Sequence, residues 1–273
     1  MPTKKQARSS KMLRNAKKQR SKYPLLLLLK VIEVSDIVLE ILDARFSKEM
    51  QNKEIEKLIE SKGKKIIYVL NKSDLTRKDN KGLNPRVLVS CRSRKGINEL
   101  RDKIKIEAAK VNLPNLGKYN RVQVGVIGYP NTGKSSLINL LIGKSSAKIG
   151  AEAGFTKGIQ KLRLTENIQL LDSPGVIPDD EYSMTSEEKI AKHVRVGGRS
   201  HNQVKDPELA VNEIVKSNRK DLEKFYKIKF KNAEDLIEKL GNKKGLLKKG
   251  GEVDSDRAAR IVLKDWQLGI IKV

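Results

Sequence analysis

The sequence predicts an α/β fold whose parallel sheet is followed by a C-terminal region made only of helices. Apolar runs over 37–42, 64–70 and 122–127 have the length and composition of buried strands. The segment over 95–111 has a helical pattern and stands between two of these runs, as in the βαβ units that build parallel sheets. Beyond residue 180, the start and stop signals are those of helices.

The elements can be assigned in chain order. Strands and helices are interspersed up to residue 171, and only helices follow. In the last helix, Ala258, Val262 and Trp266, with Ala259 and Leu263, form one apolar stripe that is expected to be core. The predicted helices lie over 23–34, 48–61, 95–111, 135–142, 206–215, 232–240 and 254–268, and the predicted strands over 37–42, 64–70, 86–89, 122–127, 159–164 and 168–171.

A glycine-rich segment over 128–135 fits the phosphate-loop pattern G-x-x-x-x-G-K-[ST]. Gly128 and Gly133 allow backbone N–H groups to turn toward phosphate oxygens, and the following helix N-terminus adds a positive partial charge. Lys134 would neutralise the β and γ phosphates, while the Ser135 hydroxyl would bind Mg²⁺. A chance glycine-rich turn is the alternative, but the strand before and the helix after favour a phosphate loop. The nucleotide contacts predicted here are Asn131, Thr132, Gly133, Lys134, Ser135 and Ser136.

The four residues Asn71, Lys72, Ser73 and Asp74 match the guanine-recognition motif Asn-Lys-x-Asp. Asp74 can accept two hydrogen bonds from guanine, from N1 and the exocyclic amine, a donor pair that adenine lacks. Asn71 would tie this loop to the phosphate loop, and the aliphatic stem of Lys72 would cover one face of the base. A polar turn has the same composition, but the strand over 64–70 delivers the motif to the ligand-binding edge of the sheet.

A second loop, Ser90-Cys91-Arg92, follows the strand over 86–89. It resembles the Ser-Ala-Lys loop of GTPases, in which backbone amides contact the guanine oxygen. Cys91 and Arg92 depart from the usual residues, which a backbone contact tolerates. Ser90 and Cys91 are therefore candidate guanine-binding residues.

Two segments downstream of the phosphate loop are similar to GTPase switches. Thr156, in Gly-Phe-Thr, would offer its hydroxyl to Mg²⁺ and its backbone to the γ-phosphate. Asp172 would hold Mg²⁺ through water, and the backbone amide of Gly175 would bind the γ-phosphate. Each segment alone could be an ordinary turn. Five motifs in one cyclic order favour the switch interpretation.

The order of these motifs is rotated. The guanine motifs (G4 and G5) precede the phosphate loop (G1) and the switches (G2 and G3), as if the old ends had been joined through 112–121 and the chain reopened after Gly175. This order, with Leu42-Asp43-Ala44-Arg45 and Asp172-Ser173-Pro174-Gly175-Val176, resembles the circularly permuted GTPases of the YlqF/YawG type. The resemblance covers roughly residues 20 to 270 and implies a circularly permuted P-loop GTPase domain with a C-terminal all-helical domain.

The resemblance also implies an activity, namely hydrolysis of GTP to GDP and phosphate during maturation of the large ribosomal subunit. Ras-like enzymes orient the attacking water with a Gln, where this chain has Val176. The catalytic group is therefore unassigned, with Thr156 and Gly175 as switch candidates, and a stimulating ribosomal subunit and K⁺ are expected. Asn131 is the candidate K⁺ ligand, and a hydrogen bond within the loop is the alternative. His193 and His201 are expected to be structural or RNA-facing.

Charge supports an RNA partner. The chain has 58 Lys+Arg against 33 Asp+Glu, a formal net charge of +25 and a pI of about 10.0. A generally basic protein without an RNA partner could have the same net charge. Here, however, the positive charge is concentrated in an acid-free arm over 1–22 and again over 216–249. We therefore expect a basic arm over 1–22, a GTPase domain over 23–179 and a helical RNA-binding domain over 180–273. Because the second switch feeds directly into the last domain, nucleotide-dependent movement at Gly175 would act on it.

Composition narrows the class of protein. One cysteine excludes an internal disulfide framework, and the apolar run over 25–29 is too short and too charged at its end for a membrane span, so a buried helix is expected. We therefore expect the protein to be cytoplasmic, or nucleolar in a eukaryote, and monomeric when it is not bound to the ribosome. The alternative is a GTP-gated RNA-binding placeholder with little intrinsic hydrolysis. A membrane-surface G protein ranks last because lipidation signals are lacking.

Overall fold

The structure, a computed structural model, describes residues 25–76, 82–111, 121–143, 159–175 and 201–272. These residues form a sheet whose strand order is β3-β2-β1-β4-β6-β5. All neighbouring strands are parallel except β5, which is antiparallel to β6, as the predicted hairpin requires. The strands are β1 (Ile37–Asp43), β2 (Lys65–Asn71), β3 (Arg86–Leu88), β4 (Val122–Ile127), β5 (Gln160–Arg163) and β6 (Ile168–Asp172).

Helices cover both faces of the sheet and then form the C-terminal part. Each helix predicted from the sequence is present, with some ends displaced. Residues 25–34 form α1. The others are α2 (Lys53–Ser61), α3 (Ile97–Ala109), α4 (Lys134–Ile142), α5 (Pro207–Tyr226), α6 (Ala233–Lys244) and α7 (Ser255–Gln267).

Three helix boundaries differ from the prediction by more than two residues. Helix α2 starts at Lys53 rather than at 48, because the Asn52 side chain accepts from Ile55 N and caps the helix there. Helix α5 continues past 215 to Tyr226, with a break in helical geometry at Asn218. Helix α6 continues through Gly241 and ends where Gly245 adopts a left-handed conformation.

The sheet separates two apolar layers. One layer packs α3 and α4 on the sheet. The other is continuous from α1 and α2 into α5, α6 and α7, so the C-terminal helices share a core with the sheet. The Phe46 and Trp266 rings, with centroids 5.9 Å apart, lie where these two parts meet. The predicted boundary at 179–180 and the arm over 1–22 lie outside the described residues.

The predicted apolar stripe of α7 is buried. Ala258, Ala259, Val262, Leu263 and Trp266 are all 0% exposed, so the tryptophan is core. The expectation of a buried helix over 25–29 is wrong in part, because α1 packs through Leu28, Val31 and Ile32 and leaves Leu26 62% exposed. Within the described part of the chain, no helix has the length and apolar character needed to cross a membrane.

Gly241 provides a test of the packing between α6 and the strand-like segment at Val253. Alanine normally stabilises a helix interior relative to glycine, but a Cβ at Gly241 would overlap Val253 Cγ1. We expect Gly241→Ala to lower the free energy of unfolding by about 1–3 kcal/mol. Urea denaturation monitored by the fluorescence of Trp266 measures the change.

Two further variants isolate the cause. Asn242→Ala, at the exposed neighbouring position, should change the free energy of unfolding by less than about 0.5 kcal/mol. Adding Val253→Ala to Gly241→Ala should recover part of the loss, since it removes the overlapping methyl group. A Gly241→Ala protein as stable as the starting chain would refute the tight contact.

Candidate nucleotide site

Three loops meet at the carboxyl edge of the sheet. Parallel pairing puts the ends of β1 and β2 side by side, with Asp43 opposite Asn71, and places Asp172 at the end of β6 opposite Val126 of β4. Ligands of doubly wound sheets bind at this edge. The guanine motif, the phosphate loop and the second switch motif are therefore neighbours in space although their order in the chain is rotated.

The Asn71 carboxamide connects these loops. Its Nδ2 donates to the Thr132 carbonyl at 2.7 Å, as the sequence predicts, and its Oδ1 accepts from Cys91 N at 3.2 Å. Gly133 leaves room for this contact, because a Cβ there would overlap Asn71 Nδ2. One buried side chain thus holds the phosphate loop, the guanine loop and the loop after β3 in a fixed arrangement.

A cavity of about 320 Å³ opens beside the guanine motif. The Asp74 carboxylate faces this region and accepts from Ser90 Oγ at 2.6 Å. Ser73 begins a short 3₁₀ turn, Ser73–Leu75, that presents Asp74. The cavity is lined by Asn71, Lys72, Asp74, Leu75, Cys91, Arg92, Gly133, Ser136, Leu268 and Gly269.

The phosphate loop surrounds a buried lysine. Lys134 Nζ donates to the carbonyls of Gly128 and Tyr129 at 3.0 and 2.6 Å, and burial lowers the pKa of this ammonium to about 8. Gly175 lies against the same loop, since a Cβ there would be 2.8 Å from Pro130 N and 3.0 Å from Lys134 Nζ. The second switch motif therefore contacts the phosphate loop directly.

The buried carboxylate of Asp172 is the strongest indication of a cation-binding site. Both carboxylate oxygens are buried, and among the described residues neither has a hydrogen-bond partner. Burial raises the pKa of this carboxyl to about 6, an effect that the Lys134 charge only partly offsets. Buried carboxylates are normally paired or bound to metal. With Ser135 in the first turn of α4, the donor set fits Mg²⁺ held by a hydroxyl and, through water, by a carboxylate.

The remaining predicted residues have mixed outcomes. Asn131 has a left-handed backbone, with φ of 58°, and its role as a K⁺ ligand stays a prediction. Thr156, Val176 and His193 lie outside the described residues. The His201 backbone N–H donates to Gln267 Oε1 and its carbonyl accepts from Arg260. Whether its side chain is structural or RNA-facing stays a prediction.

Sequence reasoning missed the role of Asp43. Its buried carboxylate accepts from Arg45 Nη2 at 2.8 Å and pairs with Lys72 Nζ at 3.0 Å. Burial favours the neutral acid, but these two cations outweigh it and hold the pKa of Asp43 well below its usual range. Its position at the end of β1, beside the strand that carries Asn71, is the signal that could have identified it. Leu268 and Gly269 also line the cavity, without a signal in the local sequence.

The fold and the site together define a circularly permuted P-loop GTPase domain with C-terminal helices. The family described as 50S ribosome-binding GTPase matches residues 123–237. This match begins in β4, just before the phosphate loop, and leaves the guanine motif upstream, as the permutation requires. The crystal structure of GNP-bound YlqF from T. maritima has the same fold, with a TM-score of 0.59. The sequence identity is 24%, and the match covers 88% of this chain and 91% of that chain.

Sequence relatives confirm the family resemblance. An uncharacterized GTP-binding protein of Methanocaldococcus jannaschii is 40% identical over 251 residues, covering 88% of this chain and 64% of that protein. Nucleolar GTP-binding protein 2 of Neurospora crassa is 34% identical over 260 residues. The match covers 89% of this chain and 40% of that protein. The chain is thus a homologue of GTP-binding proteins, and it spans less than two thirds of the length of these relatives.

Asp74 should determine base selectivity. Asp74→Asn removes the charged acceptor expected to face guanine N1 and the exocyclic amine, so GDP affinity should fall roughly 10- to 100-fold. Competition of GTP against ATP, measured by equilibrium binding, reports the selectivity. Ser90→Ala, which removes only the hydroxyl that donates to Asp74, should keep the preference for guanine. Unchanged GTP-over-ATP selectivity in Asp74→Asn would contradict the assignment.

Asp172 should make stability depend on pH. Its folded-state pKa of about 6 lies above the ordinary value of 3.8, so folding favours the protonated form. Its contribution is full below about pH 4 and is lost as the pH rises through about 6. Without nucleotide or Mg²⁺, Asp172→Asn should therefore gain stability relative to the starting chain over this interval.

The measurement is the difference in the free energy of unfolding between variant and starting chain at several pH values. Asp102→Asn is the matched control, because its side chain is 68% exposed and belongs to a surface pair with Lys105. The control difference supplies the background from a surface ion pair. A pH dependence for Asp172→Asn no larger than this background would contradict the raised pKa of Asp172.

Proposed function

We propose that this chain binds GTP and GDP and hydrolyses GTP to GDP and phosphate during assembly of the large ribosomal subunit, where it contacts ribosomal RNA. One observation carries the proposal: the Asn71 side chain joins the guanine loop to the phosphate loop, beside the buried carboxylate of Asp172. Base recognition, phosphate binding and cation binding would thereby occur in one place.

Each group would have a defined task. Asp74 would accept hydrogen bonds from guanine, and the amides near Ser90 and Cys91 would contact its carbonyl oxygen. Lys134 would exchange its bonds to loop carbonyls for phosphate oxygens, which are stronger partners for an ammonium. Ser135 and Asp172 would hold Mg²⁺, which neutralises charge on the β and γ phosphates.

Hydrolysis needs a group that orients water, and the chain has Val176 at the position where Ras-like enzymes have Gln. A valine side chain cannot hydrogen-bond to water. We therefore propose that turnover is slow alone and is stimulated by the ribosomal subunit and by K⁺, with Asn131 as the K⁺ ligand. The same observation favours a second candidate, a GTP-gated RNA-binding placeholder in which hydrolysis is minor.

An RNA partner is supported by charge on the C-terminal helices. The end of α6 and the segment after it, residues 243–249, carry four exposed lysines, and the side chain of Lys229 is 91% exposed. Several cations here form surface ion pairs, such as Lys239 with Asp235 at 2.9 Å, which cost little to exchange for phosphate. The matching family described as 50S ribosome-binding GTPase and a relative named for the nucleolus support the ribosomal large subunit as the partner. We propose that the chain acts in the cytoplasm, or in the nucleolus of a eukaryote, and is monomeric off the ribosome.

Single-turnover hydrolysis of radiolabelled GTP tests the proposal. We expect slow release of phosphate from the chain alone, and an increase of at least about tenfold when purified large subunits and K⁺ are present. Replacing K⁺ by Na⁺ should remove part of the increase. Lys134→Ala is the inactive reference, because it deletes the ammonium beside the phosphate-binding backbone.

The outcomes separate the two candidates. Stimulation by subunits supports the assembly GTPase. No stimulation, together with subunit binding that is tight with GTP and weak with GDP, supports the placeholder instead. Equal subunit binding in both nucleotide states without stimulation would contradict both.

A further inference from the structure

The turn after α7 lies on the cavity beside the guanine motif. Leu268 and Gly269 line this cavity together with Asn71 and Asp74, although they belong to the C-terminal helices. Leu268 is 57% exposed, so its side chain is available to a bound molecule. Gly269 has a φ of 67°, and a Cβ there would overlap Leu75 Cδ1 of the turn that carries Asp74. The two turns are therefore in close apolar contact.

A second connection between these regions is ionic. The Asp43 carboxylate pairs with Lys72 of the guanine motif at 3.0 Å, and it also accepts from Arg45. Arg45 Nη1 in turn donates to the Trp266 carbonyl at 3.0 Å, in the last turn of α7. The Arg45 guanidinium lies 5.3 Å from the centroid of the Trp266 ring. We call Lys72, Asp43, Arg45 and Trp266 the Asp43 relay.

The turn is held to its own helix. Leu268 N donates to the Lys264 carbonyl, Gly269 N to the Trp266 carbonyl at 3.1 Å, and Ile270 N to the Asp265 carbonyl at 2.9 Å. Ile271 beyond it is fully buried. The turn must therefore follow any displacement of α7, and it cannot stay at the cavity if α7 leaves.

We propose that the Leu268–Gly269 turn is a wall of the guanine pocket, and that base binding and the seating of the C-terminal helices are thermodynamically coupled through this wall and the Asp43 relay. Guanine contacting Leu268 stabilises α7 in its position. Displacement of α7, for example by RNA bound to the basic C-terminal surface, weakens base binding by the same factor. This inference rests on the proposed binding of guanine nucleotides.

The first experiment compares ligands with and without the base. Leu268→Ala should raise the Kd for GDP roughly three- to tenfold, since part of an apolar wall is lost, and should leave the Kd for Mg²⁺-pyrophosphate unchanged. Arg45→Lys keeps a cation beside Asp43 but shortens the reach to the Trp266 carbonyl, and should have the same ligand-specific effect. Ile270→Ala, 44% exposed and not lining the cavity, should leave both Kd values unchanged.

The second experiment measures the reverse direction in the full chain. GDP should slow hydrogen exchange of the Gly269 and Ile270 amides, whereas pyrophosphate at matched phosphate-site occupancy should not. Trp266 is the single tryptophan of the chain, so its emission reports whether α7 stays seated in each variant. These readouts remain informative even if Arg45→Lys proves unstable, because the exchange experiment uses the unmodified protein.

The results distinguish this inference from the proposed function. If the unmodified chain binds no GDP, the proposed function fails. If it binds GDP, while Leu268→Ala keeps the same GDP affinity and GDP leaves exchange at Gly269 and Ile270 unchanged, the coupling is refuted and the nucleotide site stands. Equal weakening of GDP and pyrophosphate by Leu268→Ala would also refute it, because the turn would then act on the whole site rather than on the base.

Discussion

The buried carboxylate of Asp43 is the constraint on which the arrangement of the guanine loop and the C-terminal helices depends. An isolated carboxylate in the interior would be very costly, and removing one partner of a buried ion pair typically costs about 3–5 kcal/mol. Here Lys72 and Arg45 approach it from two sides. Because Lys72 belongs to the guanine loop and Arg45 bonds to α7, the need to compensate one charge adds to the shared apolar core in fixing the guanine loop relative to α7.

The rotated motif order has a simple physical basis. A nucleotide site at the carboxyl edge of a parallel sheet requires certain loops to be neighbours in space, and the strand pairing of β2, β1, β4 and β6 supplies this whatever the order in the chain. Because the rotated order places the second switch last among the motifs, the chain continues from Gly175 to the C-terminal helices. These helices are thus connected to the site twice, covalently after the phosphate end and by packing at the base end.

Local chemistry explains how much of this could be predicted from the sequence. The strand before Gly128 lies where its apolar run predicts it. Helix α6 begins directly after Asn232, the capping residue that predicts its start. The bond from Asn71 to Thr132 follows from motif chemistry. The extension of α5 beyond 215 has no such signal, because it depends on burial of Leu222 and Tyr226 against other helices. Likewise Arg45 and Trp266 are 221 positions apart in the chain, and only tertiary packing brings them together.

Electrostatics at the phosphate end favours a ligand that carries both charge signs. Burial raises the pKa of Asp172 to about 6 and lowers that of Lys134 to about 8, so both ionised forms are disfavoured in the folded chain. A cation near Asp172 would stabilise its carboxylate, and an anion near Lys134 would stabilise its ammonium. Magnesium bound to a polyphosphate supplies the two charges at a fixed separation, whereas either ion alone would correct only one of them. The site is therefore expected to bind the metal and the nucleotide together more tightly than either one separately.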